Sequence, residues 1–148
     1  MKISTRGRYA LRVMIDLAEH WEGKLIPMKD VSRRQGISLK YIERILPSLS
    51  KGGLIQGVHG RGGGYRLTRK PEEYNVLEIL KLAEGDLAPV ACLKDNAEAC
   101  PRRKVCRTYK LWEGFQNTVE DYFGSITLDH LMREEEDPEG FDNVKSHC

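Results

Sequence analysis

Three of the four cysteines fall in one short segment, CLKDNAEACPRRKVC, running from Cys92 to Cys106. Thiolates gathered this closely can ligate a soft metal centre or exchange with disulfides. The spacing, Cys92-x7-Cys100-x5-Cys106, is not the paired C-x-x-C usual in structural zinc sites. Arg102, Arg103, Lys104 and Arg107 favour the thiolate forms by nearby positive charge, and Pro101 stiffens the segment. A second set of polar side chains lies upstream: Ser38, Lys40, Tyr41, Glu43 and Arg44, then His59, Arg61 and Arg66 around a glycine-rich run. These are types and lengths that reach base edges and phosphates. Catalytic chemistry has no comparable constellation. The histidines at 20, 59, 130 and 147 are scattered, and no nucleophile–base pair or acid pair stands out, so an enzyme is not expected.

Composition points the same way. Residues 1–71 carry 15 Lys and Arg against 5 Asp and Glu, a net of +10. Residues 72–148 carry 9 against 17, a net of −8, so the overall +2 conceals a basic half and an acidic half. A polyanion partner is expected for the basic half. The opening MKISTRGRYALRVMIDLAEHW breaks its apolar residues with charges and lacks a signal-peptide core, and no stretch has the apolar length to span a bilayer. A cytoplasmic, reducing setting without membrane contact is expected, where structural disulfides are uncommon.

The elements that must position these residues follow from periodicity. Ala10, Leu11, Met14, Leu17, Ala18 and Trp21 recur at helical spacing, predicting an amphipathic helix from Ser4 to Trp21 with Ser4 or Thr5 as its cap. Pro27 can open a short helix carrying Val31 inward, and Gly36 breaks it. Ile37 then occupies a turn, and Ser38 can cap a second helix with Ile42, Ile45 and Leu46 on its inner face. Lys40, Tyr41, Glu43 and Arg44 would point outward. Helix, glycine-containing turn and helix make a helix-turn-helix candidate, although an ordinary helical hairpin with a solvated face fits equally well. Pro47 is expected to kink or shorten the second helix, because it has no N–H.

Two β-prone runs, Leu54–Val58 and Tyr65–Thr68, are joined by HGRGGG. This reads as the hairpin wing that follows a recognition helix, with His59, Arg61 and Arg66 as donors to DNA backbone or minor groove. A phosphate-binding nucleotide loop fails, since no Lys-Ser or Lys-Thr follows. Beyond the wing, NVLEILKLAEG reads as a short helix capped by Asn75 and stopped by Gly85. After Cys106 a longer helix carries Trp112, Phe115, Val119, Tyr122 and Ile126 at steps of three and four. Such a stripe is often plain core, yet few elements remain to cover it, which favours burial against a second subunit. Thr127 can cap a last short helix, LDHLMREEE, ahead of an acidic tail with the composition of a solvated end. The fold class is therefore mainly α with a small β-hairpin: a winged helix-turn-helix domain plus a long dimerisation helix. The expected divisions are a DNA-binding domain at 1–85, a cysteine loop at 86–106, a dimerisation helix and short C-terminal helix at 107–136, and a tail at 137–148.

Taken in order, STRGRYALRVMIDLA, RRQGISLKYIERIL, GRGGGYRL, the three cysteines and LWEGFQNTVEDYFGSITLDHL resemble the IscR-type family of bacterial winged-helix regulators. The resemblance implies a homodimer on double-stranded DNA and a [2Fe–2S] cluster that changes DNA choice or affinity. It implies Cys92, Cys100 and Cys106 as cluster ligands, in keeping with thiolate ligation of such clusters. Structural zinc is the second reading of the loop, a thiol–disulfide switch the third, and three unrelated thiols the last. One departure stands out. Where the family places a histidine ligand three residues after the last cysteine, this chain has Tyr109, and a phenol ligates only after losing a proton with a pKa of about 10.

A repressor of iron–sulfur biogenesis genes is thus expected, reading an imperfect palindrome. Glu43 either discriminates bases or pairs with Lys40 or Arg44 on a solvated face. The alternatives are a regulator controlled by a protein partner, of the CymR kind, and a nitric-oxide or redox sensor of the NsrR kind.

Overall fold

In the computed structural model, which describes residues 1–133, six α-helices and one antiparallel hairpin follow in chain order. Helix α1 (Thr5–Glu19) starts at Ser4, whose Oγ accepts from the backbone N–H groups of Arg6 and Gly7. Ala10, Val13, Met14 and Leu17 share its fully buried face. The helix stops short of the predicted Trp21. The N–H groups of His20 and Trp21 bond back to Asp16 and Ala18, the chain turns away, and Trp21 is left 38% exposed.

Helix α2 (Met28–Gln35) follows Pro27 at φ −64°, and Gly36 ends it in the left-handed region at φ 63°. Helix α3 (Leu39–Lys51) begins at Ser38, whose Oγ accepts from Tyr41 N–H, and buries Ile42, Ile45, Leu46 and Leu49. Pro47 does not shorten it: the helix runs on to Lys51. Burial of Leu46 and Leu49 on either side of the proline offsets the missing backbone bond, and Ser48 Oγ donates to the Ile45 carbonyl at 2.8 Å.

The wing forms as expected. Strands β1 (Ile55–Val58) and β2 (Gly64–Leu67) pair antiparallel, with Ile55 opposite Leu67 and Val58 opposite Gly64. Ile26 adds a bridge to Tyr65 at the other edge of β2. There the Ile26 carbonyl lies where a Cβ on Gly64 would stand, at φ 157°, so only glycine allows the approach. Helix α4 (Val76–Glu84) is capped by Asn75 and ended by Gly85. Helix α5 (Tyr109–Ser125) follows the cysteine loop, and α6 (Leu128–Arg133) is capped by Thr127 Oγ1, which accepts from His130 N–H. The expected helix through residue 136 and the tail lie partly or wholly outside the described residues.

A single apolar core joins α1, α2, α3, the hairpin, Ile79 and Ala83 of α4, and Leu128 of α6. Tyr74 is fully buried in it, and its hydroxyl donates to Leu54 O at 2.7 Å while accepting from Thr68 and Arg69 N–H. A second cluster holds α5 to α4 through Val76, Leu80 and Leu87 against Phe123, Ile126 and Leu131. The α5 stripe therefore splits. Ile126 packs within the chain, as does Phe123 beside the stripe, whereas Trp112, Phe115 and Tyr122 stay exposed, Tyr122 at 62%.

Candidate functional site

The helix-turn-helix is locked by a buried ion pair. Asp16 of α1 is fully buried and takes Arg34 of α2 side-on, with Nη2 at 2.6 Å from Oδ1 and Nε at 3.0 Å from Oδ2. Gln35 Nε2 donates to the same carboxylate at 3.0 Å, and Arg12 reaches back to Gln35. Hydrogen bonding to Asp16 raises the Arg34 pKa further above its ordinary value. The pair fixes α2 on α1, and the buried turn residue Ile37 then sets the direction of α3. Asp16, Glu19 and His20 also bring their ligand atoms within 4.8 Å of one another, but the guanidinium already occupies the Asp16 carboxylate.

On α3, Lys40, Glu43 and Arg44 are exposed, as predicted. Ser38 is exposed too, with its oxygen engaged in the cap. Tyr41 is half-buried. Its ring meets Tyr9 edge-on at 5.2 Å, so it leans toward α1 and does not stand straight out. No ion pair joins Glu43 to Lys40 or Arg44 among the described residues. Instead Glu43 and His59 line one cleft of about 620 Å³ between α3 and the wing, with Pro47, Lys51 and Tyr65. Arg61 stands exposed at the wing tip, where Gly60 and Gly62 take positive φ. Arg66 is engaged within the domain: it bonds Gln56, its cross-strand partner, and the Gly23 carbonyl. Exposed helix, cleft and wing thus form one face bearing Lys40, Arg44, Lys51, His59 and Arg61, with Glu43 as its one acid among them.

The cysteine loop lies in front of α5. Cys92 sits in a short 3-10 turn, Ala91–Leu93, Cys100 opens a turn closed by Arg103 N–H, and Cys106 lies two residues before Thr108, the cap of α5. All three are free and half-buried. Cys92 and Cys100 line a cavity of about 300 Å³ together with Tyr109, and Cys106 lines an adjoining one of about 700 Å³ that also contains Tyr109 and Glu113. Tyr109 and Arg103 line both. The Cys106 thiol is held below its ordinary pKa, chiefly by the Thr108 hydroxyl at 3.4 Å, with Arg102 the smallest contributor. Of the positive neighbours expected from the sequence to favour the thiolate, Arg102 acts on Cys106 in that direction, behind the hydrogen bonds. The Tyr109 phenol is pushed up by burial and by Glu113, against the opposing Arg103 guanidinium 4.7 Å over its ring.

The donor set is soft and thiolate-rich. A tetrahedral zinc ion would hold its sulfurs about 3.8 Å apart, from a Zn–S bond of about 2.3 Å. The three sulfurs do not form a group within 4.8 Å of one another. The thiols are thus not gathered around one point here, and their chemistry, three thiols on one loop, is that of iron–sulfur ligands. Lys51, Glu98 and Glu113 line these cavities without having been singled out from the sequence. Glu113 had a usable signal, one helical turn beyond Tyr109.

Comparison with known proteins agrees with this architecture. Residues 3–134 match the Rrf2 family, described as an iron-dependent transcriptional regulator. The HTH-type transcriptional regulator IscR of Aliivibrio salmonicida is 36% identical over 136 residues, covering 92% of this chain and 80% of that protein. Among solved structures, CymR of B. subtilis, the global cysteine regulator, superposes with a TM-score of 0.72 at 30% identity, covering 90% of this chain and 98% of that one. IscR of T. potens does so with a TM-score of 0.69 at 29% identity, covering 99% and 94%. No helix among the described residues is long and apolar enough to cross a membrane. Matched over nearly all its described length, this chain belongs to the Rrf2 family of transcriptional regulators.

Proposed function

We propose that this chain works in the cytoplasm as a homodimeric regulator, binding double-stranded DNA at an imperfect palindrome and reading iron–sulfur status through a [2Fe–2S] cluster. Its simplest output is repression of iron–sulfur biogenesis genes. The observation that carries the sensor reading is the convergence of Cys92, Cys100 and Cys106 on two adjoining cavities that share Tyr109. The cluster would supply the redox- and supply-sensitive centre. The chain's own part is to present three thiols from a loop rooted at the first turn of α5, with Thr108 stabilising the Cys106 thiolate. Trp112, Phe115 and Tyr122 remain exposed on that same helix, and a second copy is the natural cover for them. The cysteine loop and the dimer contact would then share one rigid element, so a change at the loop can reach the spacing of two α3 helices in successive major grooves.

On the DNA face, Lys40, Arg44 and Arg61 supply phosphate neutralisation, and the exposed Glu43 accepts from cytosine N4 while repelling misplaced phosphates. Ser38, Tyr41, His59 and Arg66 complete the set expected to line the duplex.

A second reading, regulation through a bound protein partner, draws on Tyr109 in place of the family's histidine and on the likeness to CymR. The visible absorption spectrum of anaerobically purified protein, with iron and sulfide content, separates the two. Cluster-type bands that vanish in Cys92→Ala, Cys100→Ala and Cys106→Ala are expected. A colourless protein after anaerobic reconstitution would leave the partner-controlled reading.

A further inference from the structure

We infer that Glu113, and not Tyr109, is the fourth protein ligand of the cluster, an inference that rests on the sensor reading above. A [2Fe–2S] centre takes four protein donors, and the loop provides three thiols. Two features recommend Glu113. It lies on α5 one turn beyond Tyr109 and lines the same cavity as Cys106, so a rigid helix presents it on the Cys106 side of the loop. It is also half-buried, and although it shares a hydrogen bond with the Tyr109 phenol, no ion pair ties it to the Arg103, Lys104, Arg107 or Lys110 side chains of that cavity among the described residues.

Tyr109 is nearer to the family's ligand slot but chemically worse. Carboxylates ionise about six pH units below phenols in water. Carboxylate oxygen is an established iron donor, as in the two-histidine, one-carboxylate iron sites. Glu98 is the other acid in reach, since it lines the cavity of Cys92 and Cys100. It is exposed on the loop, without a helix to hold it in place.

An anionic oxygen donor makes the cluster one charge more negative than the neutral imidazole it replaces. The reduction potential should therefore lie lower than with a histidine in the slot.

The test uses the full chain, reconstituted anaerobically with ferrous iron and sulfide. Wild type is compared with Glu113→Gln, Glu98→Gln, Tyr109→Phe and the double variant Glu113→Gln/Tyr109→His. Iron and sulfide per chain, visible absorption and circular dichroism, reduction potential and the lifetime against EDTA are read. Glu113→Gln should lose its cluster at least tenfold faster than wild type, with any surviving centre at higher potential. Tyr109→Phe and Glu98→Gln should match wild type. The double variant should regain a long-lived cluster, by restoring a histidine in the family slot. Far-ultraviolet dichroism of the apoproteins shows whether each variant folds. Wild-type lifetime and potential in Glu113→Gln, or loss confined to Tyr109→Phe or to Glu98→Gln, overturns the assignment. Absence of iron and sulfide from wild type sinks the sensor reading, and the assignment with it.

Discussion

Replacing Asp16 by alanine removes the one charged group sealed in the core of the DNA-binding domain. The carboxylate is fully buried and accepts from Arg34 Nε, Arg34 Nη2 and Gln35 Nε2, so three donors lose their acceptor together. Breaking a buried pair from one side costs about 3–5 kcal/mol, because the remaining charge stays uncompensated. The Arg34 side chain keeps 30% of its surface in solvent and can partly rehydrate, which places the loss at the lower end, about 3 kcal/mol. Against a total stability of about 5–15 kcal/mol, that is a large fraction. With a urea m-value of about 2 kcal/mol/M, the midpoint should fall by about 1.5 M. The comparison must be made at equal protein concentration, since unfolding of the proposed dimer would depend on it. A double-mutant cycle isolates the pair. Asp16→Ala and Arg34→Ala should couple by about 2 kcal/mol, because the second substitution removes the charge that the first leaves stranded. A loss under about 1 kcal/mol, or strict additivity, would show that the pair is solvated and that apolar packing alone seats α2.

Three further outcomes are expected. In fluorescence titrations with duplex DNA, log K should fall with log salt at a slope of about −0.9 per phosphate contact. Arg61→Ala should weaken binding to all sequences, whereas Glu43→Ala should flatten sequence preference with a smaller loss of affinity; salt-independent binding, or a harmless deletion of residues 59–64, would contradict the winged-helix interface. In sedimentation at micromolar concentration, Phe115→Ala should shift dimer toward monomer with a cost of about 2–4 kcal/mol, while Phe123→Ala should lower the melting temperature instead, since Phe123 packs against α4 in its own chain. Tyr74→Phe should cost about 1–3 kcal/mol in urea unfolding, because Leu54 O and the Thr68 and Arg69 N–H groups lose their partner; an unchanged midpoint would mean that water replaces the hydroxyl.

The elements that were legible in the sequence are those with a local rule. The 3.6-residue spacing of Ala10, Met14 and Leu17, the Ser38 cap and the Gly60–Gly64 turn each declare themselves within one or two turns of chain. What failed was decided at a distance. Pro47 obeys the local rule against helices only until Leu46 and Leu49 are buried by α1 and the wing. Trp21 fits the helical stripe, yet the backbone turns at His20 before reaching it. Asp16 and Arg34 look like two solvated charges eighteen residues apart, and nothing in either neighbourhood marks them as a buried pair. The same limit applies to the site. The cysteine spacing was visible, but loops have no periodicity, so the division of the three thiols between two cavities that share Tyr109 could not be read before the chain was folded.

The place of Leu128 in the first core bears on how the chain is made. Leu128 is fully buried with residues of α1, α3 and Tyr74, and its N–H bonds the Tyr74 carbonyl. Residues of α1 leave the ribosome long before this partner exists. At about 5–20 residues per second, the roughly 120 residues between them take about 6–25 s to synthesise. During that interval the nascent DNA-binding half presents an unfilled apolar slot, the kind of surface that chaperones recognise and that aggregates when crowded. A truncated gene product ending inside the cysteine loop would keep that slot permanently open. Incomplete chains should therefore be cleared by proteolysis before they can compete for operators with the finished regulator.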